Sequence, residues 1–177
     1  MTSDDILALI QKQFPDLGAM ILEGTECLTL RVPREQLAPL CEFLHSSPFT
    51  TFDYLANLTA VDNMDWLEYS NLLGPKNTIE VVYTMVSSYD KHMLSLHVTL
   101  PRDNPEIPSV SSIWPTAEWH EREVYDLYGV VFTNHPDLRR IMMPDDWVGY
   151  PMRRDYTHEN LIPKPAPEGV YMVKKAK

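Results

Sequence analysis

Residues 114–156 constrain this chain more than any other stretch. They read WPTAEWHEREVYDLYGVVFTNHPDLRRIMMPDDWVGYPMRRDY, with charged side chains packed among Trp, Tyr, Val, Leu, Ile and Met and almost no Ser or Gly between them. An unpaired charge buried among large apolar groups is costly. The stretch therefore implies carboxylates and guanidiniums held by partners rather than a loose, solvated surface.

The first part of the stretch reads as a helix over 116–128. Pro115 suits a first turn, where its missing N–H costs nothing. Ala117, Val124 and Leu127 or Tyr128 fall on roughly one face, with His120 beside them. Gly129 stands where a left-handed C-terminal cap belongs. Glu118 precedes Arg122 by four, the favourable order for a helix pair. Asp126 lies in the last turn, beside carbonyls that are already negative, so it needs a cation. After the Pro136 turn, Arg139 and Arg140 supply two, and the chain is expected to double back and bring one of them to the acidic helix.

Upstream, Ser3 is expected to cap a first helix with Ile6, Leu9, Ile10 and Phe14 as its apolar stripe, ended by Pro15. A short strand near 20–22 and an alternating one over 27–32 follow. A second helix over about 36–45 buries Leu37, Leu40, Cys41 and Leu44, with Pro39 in its first turn. Strands are expected over 52–61, 79–86 and 94–100. The first two are apolar enough on both faces to be central, whereas the third alternates cleanly and reads as an edge. Residues 88–91 close a hairpin between the last two. The 62–77 link reads as a projecting loop, and 101–108 as an extended connector. The order α, β, β, α, β, β, β, α implies an α+β fold with two layers, helices packed on one face of a mixed sheet. Beyond Gly129 six prolines interrupt anything longer, and an extended irregular C-terminal arm is expected. Residues 1–156 form one domain, and 157–177 form a tail expected to dock on a partner through Tyr171 and its neighbours.

The net charge of −10 argues against nucleic acid. Its distribution is uneven: residues 1–138 hold 7 basic and 20 acidic side chains, residues 139–177 hold 8 and 5. An acidic body with a basic tail meets different surroundings at its two ends. No run approaches the ~18 apolar residues of a membrane span. The start lacks the features of a signal or transit peptide, so the chain is expected to stay where it is made.

Several chemistries are missing their residues. His120-Glu121 opens like HExxH, but position 124 is Val. With six glycines there is neither GxGxxG nor a P-loop. Two cysteines, Cys27 and Cys41, cannot hold an iron–sulfur cluster that needs about four. His135-Pro136 reads as a hydrogen-bonding corner. Trp147, Tyr150 and Arg153 have the composition of an interface anchor, or of a tryptophan packed on its own domain. The rival from another class is a free-standing enzyme with an acid or base among Glu121, Asp126 and His135.

The set Glu121-Arg122-Glu123, Asp126-Leu127-Tyr128, His135, Arg139, Ile141 and Met142 resembles the signature of the thirty-kilodalton subunit of proton-translocating NADH:quinone oxidoreductase, respiratory complex I. The likeness is close over 108–156, through Arg140, Trp147, Tyr150, Arg153, Arg154 and Asp155, and weaker from 52 to 108. Departures are Asn134 where Gly is common, Met152 and Arg154 where Leu and Lys are common, and a longer 65–78 segment. The resemblance implies the two-layer architecture and a structural, non-catalytic subunit of the quinone-reducing peripheral-arm module. It implies no cofactor in this chain, with FMN and iron–sulfur clusters in partner subunits. It implies as partners the subunit that lines the quinone site and neighbouring cluster-bearing subunits of complex I, on the cytoplasmic side of a bacterial inner membrane. The equivalent chain of a ferredoxin-dependent photosynthetic complex or a membrane-bound hydrogenase is the alternative.

Overall fold

The computed structural model describes residues 2–64 and 75–157. Most of the 62–77 link and all of the tail beyond Thr157, Tyr171 included, lie outside the described residues.

Among the described residues, three helices and a five-stranded mixed sheet share one core. The elements are α1 (Ser3–Gln13), β1 (Met20–Ile21), β2 (Leu28–Arg31), α2 (Arg34–Ser46), β3 (Tyr54–Asp62), β4 (Thr78–Val86), β5 (Met93–Pro101), β6 (Glu106–Pro108), α3 (Ala117–Tyr128) and β7 (Val131–Thr133). The large sheet runs β1-β2-β5-β4-β3. Only its β2–β5 pair is parallel. One row, Leu30, Leu96, Tyr83 and Leu58, crosses four strands on the core face, and all four are buried. Directly opposed residues share a face, so the next row but one repeats it. The buried faces of α1, α2 and α3 complete the same cluster. This is the expected α+β architecture.

Four local expectations are corrected. The cap of α1 is Thr2, not Ser3: Thr2 and Asp5 form a reciprocal capping box, which moves the cap one residue back. Pro39 lies inside α2 rather than in its first turn, because the helix begins already at Arg34. It forgoes one backbone bond in the second turn, while the buried face of Leu37, Leu40, Cys41 and Leu44 holds the helix together. The strand order reverses the expected centre and edge: β5 is central and β3 is the edge. The polar side of β5 is not solvated. Ser95 is buried and donates to the Tyr83 carbonyl, and His97 Nδ1 lies 3.4 Å from the buried Glu80 carboxylate. In β3 a register shift between Leu55 and Asn57 breaks the alternation, and this makes the strand read as apolar on both faces. Finally, β6 and β7 form a small parallel sheet where a connector and irregular chain were expected. Three-residue strands are too short to show periodicity.

Candidate functional site

Helix α3 is fixed at its entrance by Trp114, whose indole N–H donates to the Phe52 carbonyl at 2.9 Å. The helix thus lies over β3. Gly129 ends it at φ 75°. A side chain there would be strained and would also collide with the Tyr150 ring, so two separate constraints demand glycine.

Asp126 organises the chain beyond the helix. Its Oδ1 accepts from Arg140 Nη1 at 2.6 Å. Its Oδ2 accepts from the backbone N–H groups of Ile141, Met142 and Met143 at 2.9, 2.6 and 2.9 Å. Burial alone would raise this carboxyl, but those N–H groups and Arg140 outweigh it and hold the group below the usual aspartate range. Arg140 also donates to the carbonyls of Asp126, Trp147 and Gly149. One buried ion pair therefore ties the helix C-terminus to the chain at 140–149. The cation foreseen for Asp126 is Arg140. Arg139 is exposed and pairs with Asp137 instead.

A second anchor holds the rest of the arm. Arg102, just past β5, makes a two-pronged bond to Asp62 at 2.9 and 3.0 Å and also bonds Asp155. The Arg154 N–H donates to Asp62 Oδ2 at 2.9 Å. Arg153 Nε donates to the Tyr128 carbonyl at 2.6 Å, and its guanidinium lies 4.9 Å from the Tyr150 ring centre. Arg140 lies 5.5 Å from the same ring. Trp147 stacks on Tyr156 with centroids 6.5 Å apart. Trp147, Tyr150 and Arg153 thus pack on their own domain. Among the exposed apolar groups of the region are Trp119, Met142, Val148 and Met152.

Glu121 is a different case. Its carboxyl is fully buried and accepts from the Ser109 hydroxyl at 2.6 Å and the Val110 N–H at 2.7 Å. Among the described residues no guanidinium pairs with it. Burial pushes it up to about 7, against the pull of those two hydrogen bonds. His135 Nε2 lies 4.0 Å away, but it donates to the Glu118 carbonyl at 3.0 Å while Nδ1 accepts the Asp137 N–H at 3.0 Å. Those two partners assign Nε2 as the donor and Nδ1 as the acceptor. His135 is the hydrogen-bonding corner expected of it, and Asn134 before it takes the left-handed conformation at φ 64°.

Two pairings fail. Arg122 turns to the Arg139 carbonyl at 3.3 Å, the Trp119 ring at 4.9 Å and Asp137 at 4.0 Å rather than to Glu118. Glu123, two residues from Glu121, points the other way and is exposed. Sequence reasoning missed Asp62, Arg102 and the Arg31–Glu80 pair on the sheet's second face, where Arg31 Nε and Nη2 reach Glu80 Oε1 at 3.0 and 2.9 Å. The available signal was Glu80 inside an otherwise apolar strand, which demands a partner.

The arrangement suits rigid scaffolding. Both Asp126 oxygens are occupied, and Glu121 and the His135 side chain are fully buried. All three candidate acid or base groups are closed off from the surface in the folded chain. Among the described residues no helix is long and apolar enough to cross a membrane, and no group of three or more His, Cys, Asp or Glu is placed to hold a metal ion.

The model of the family described as "Respiratory-chain NADH dehydrogenase, 30 Kd subunit" matches residues 30–160. The corresponding subunit of the NADH-quinone oxidoreductase of Roseiflexus castenholzii is 38% identical over 152 residues, covering 85% of this chain and 81% of that protein. Its counterpart in Moorella thermoacetica is 39% identical, covering 86% and 94%. Among solved structures, the trypsin-resistant fragment of Nqo5 superposes with a TM-score of 0.58 at 31% identity, over 75% of this chain and 98% of the fragment. A chain of the membrane-bound sulfane sulfur reductase, an archaeal respiratory membrane complex, gives a TM-score of 0.68 at 25% identity, over 87% and 85%. With its helix, its doubled-back arm and these relatives in agreement, the chain belongs to the family of the 30 Kd subunit of the respiratory-chain NADH dehydrogenase.

Proposed function

We propose that this chain is a non-catalytic, structural subunit of the quinone-reducing module in the peripheral arm of an NADH:quinone oxidoreductase, whose electron transfer from NADH to quinone is coupled to proton translocation. Membership of the 30 Kd subunit family carries the reading. The internal satisfaction of Asp126, Glu121 and His135 supports the non-catalytic part, since each has its oxygens or nitrogens committed to the fold. The chain's contribution is then shape: two buried ion pairs set the arm, and Trp119, Met142, Val148 and Met152 are left outside for neighbours.

The partners in this reading are the subunit that lines the quinone site and neighbouring cluster-bearing subunits. FMN and iron–sulfur clusters belong to those partners. The chain sits peripherally on the cytoplasmic side of the bacterial inner membrane, attached through the complex. Residues 157–177 form a docking tail, with Tyr171 among its anchors. The alternative, the equivalent chain of a ferredoxin-dependent photosynthetic complex or a membrane-bound hydrogenase, draws on the likeness to the sulfane sulfur reductase chain, but the relatives named for NADH and quinone are nearer in sequence.

The test is to purify the chain by itself and measure NADH oxidation, iron and zinc. It is expected to be colourless, inactive and free of tightly bound metal. Turnover of NADH, or stoichiometric iron or zinc that survives a chelator, refutes the reading.

A further inference from the structure

The core face of the large sheet continues past its last strand. Ile21 pairs with Leu30 across β1 and β2, so the two side chains share the core face. Leu30 is fully buried, yet Ile21 is 48% exposed. The difference is position: β1 ends the sheet, and among the described residues nothing lies outside it. Helix α1 overhangs this edge. Leu7, Ile10, Phe14, Leu17, Ala19 and Ile21 enclose a recess of about 280 Å³ there. It has the size of one or two apolar side chains and lies where a sixth strand would point them.

The backbone of the edge is also ready. The Leu22 N–H donates to the Thr29 carbonyl at 2.9 Å, so Leu22 belongs to the hydrogen-bonded class of antiparallel partners. Alternation then turns the N–H and C=O of Ile21 away from β2, toward the open side. The surroundings are acidic. Residues 2–27 carry Asp4, Asp5, Asp16, Glu23 and Glu26 against Lys12 alone. Asp16, Glu23 and Glu26 are exposed, and none makes an ion pair among the described residues.

We propose that the open edge of β1 is the docking site for an extended apolar segment of a partner subunit with Lys or Arg at its flanks. The segment adds a strand beside Ile21, seats an apolar side chain in the recess and sets its cations against Asp16, Glu23 and Glu26. A second copy of this chain would bring the same acids to the edge and be repelled. The proposal rests on the chain being a subunit of a larger complex.

The test uses the assembled complex in its native membranes, with variants expressed in place of the wild-type chain. Ile21→Pro removes only an outward N–H and leaves the bonds of Leu22 to β2, so the fold should persist. Asp16→Lys with Glu23→Lys reverses the local charge. Each is expected to cut the amount of chain retained on salt-washed membranes by roughly tenfold or more, the scale of a lost anchor. A photocrosslinking residue at Gln11, on the recess wall, is expected to label one partner subunit beside a Lys or Arg. Wild-type retention in both variants overturns the proposal, as does the absence of a Gln11 adduct, an adduct within this chain's own residues 158–177, or one to a second copy. If Ile21→Pro lowers the melting temperature, the charge reversal and the adduct still decide. If the wild-type chain itself is absent from the membranes, the subunit reading fails, not the edge proposal alone.

Discussion

Replacing Glu121 with glutamine isolates a buried carboxyl that no guanidinium among the described residues pairs with. Burial pushes the native group up to about 7, from an ordinary value near 4.5. That difference corresponds to roughly 3 kcal/mol at ~1.36 kcal/mol per pH unit. The folded state therefore prefers the neutral acid. Its contribution to stability is full below the unfolded value, fades as pH rises through the interval to about 7, and is absent above it. Glutamine has nearly the same shape, can still accept the Val110 N–H, and does not titrate. The neighbouring Tyr83 hydroxyl and Cys41 thiol are pushed upward by burial and stay neutral throughout. The difference between the two proteins should thus follow Glu121 alone. Urea unfolding of both chains from pH 5 to pH 8 is expected to show the Glu121→Gln variant gaining about 2–3 kcal/mol on the wild type across that range. A difference that stays flat, or that falls with pH, would show that the buried carboxyl has a counter-charge and that the reasoning is wrong.

Asp126→Asn keeps size but weakens the bonds from the three N–H groups and leaves Arg140 beside a neutral amide; a loss of about 3–5 kcal/mol is expected in denaturant unfolding. Because that carboxyl and Asp62 are held low, the wild-type chain should also lose their contributions as pH falls through the acidic range, and the Asn variant should lose less there. Gly129→Ala meets both a left-handed backbone and the Tyr150 ring, so it should cost more than about 1 kcal/mol, read as a lower melting temperature. Deleting residues 160–177 should leave the melting temperature unchanged and weaken incorporation into the complex.

What the sequence made legible was local. Asp126 announced its need for a cation through its place in the last turn of a helix, and a basic pair thirteen and fourteen residues on could be reached by one turn. The αL cap at Gly129 and the His135 corner followed from the same short-range rules. The buried faces of α1, α2 and α3 followed from period, and so did the layer they form on the sheet. The second anchor was invisible because its parts, Asp62, Arg102 and Asp155, meet only when three distant segments are folded together. Strand order failed for a related reason. A clean alternation in β5 signals one polar face, but not that Glu80, Arg31 and His97 from three strands would close over that face. Tertiary pairing decided both.

The most direct test of the proposed role is to tag this chain, solubilise its native membranes and identify the proteins that come out with it. The other subunits of an NADH:quinone oxidoreductase are expected, together with their flavin and iron–sulfur clusters and NADH-driven quinone reduction in the same fraction. Recovery of the chain alone, carrying an enzymatic activity of its own, would contradict that role.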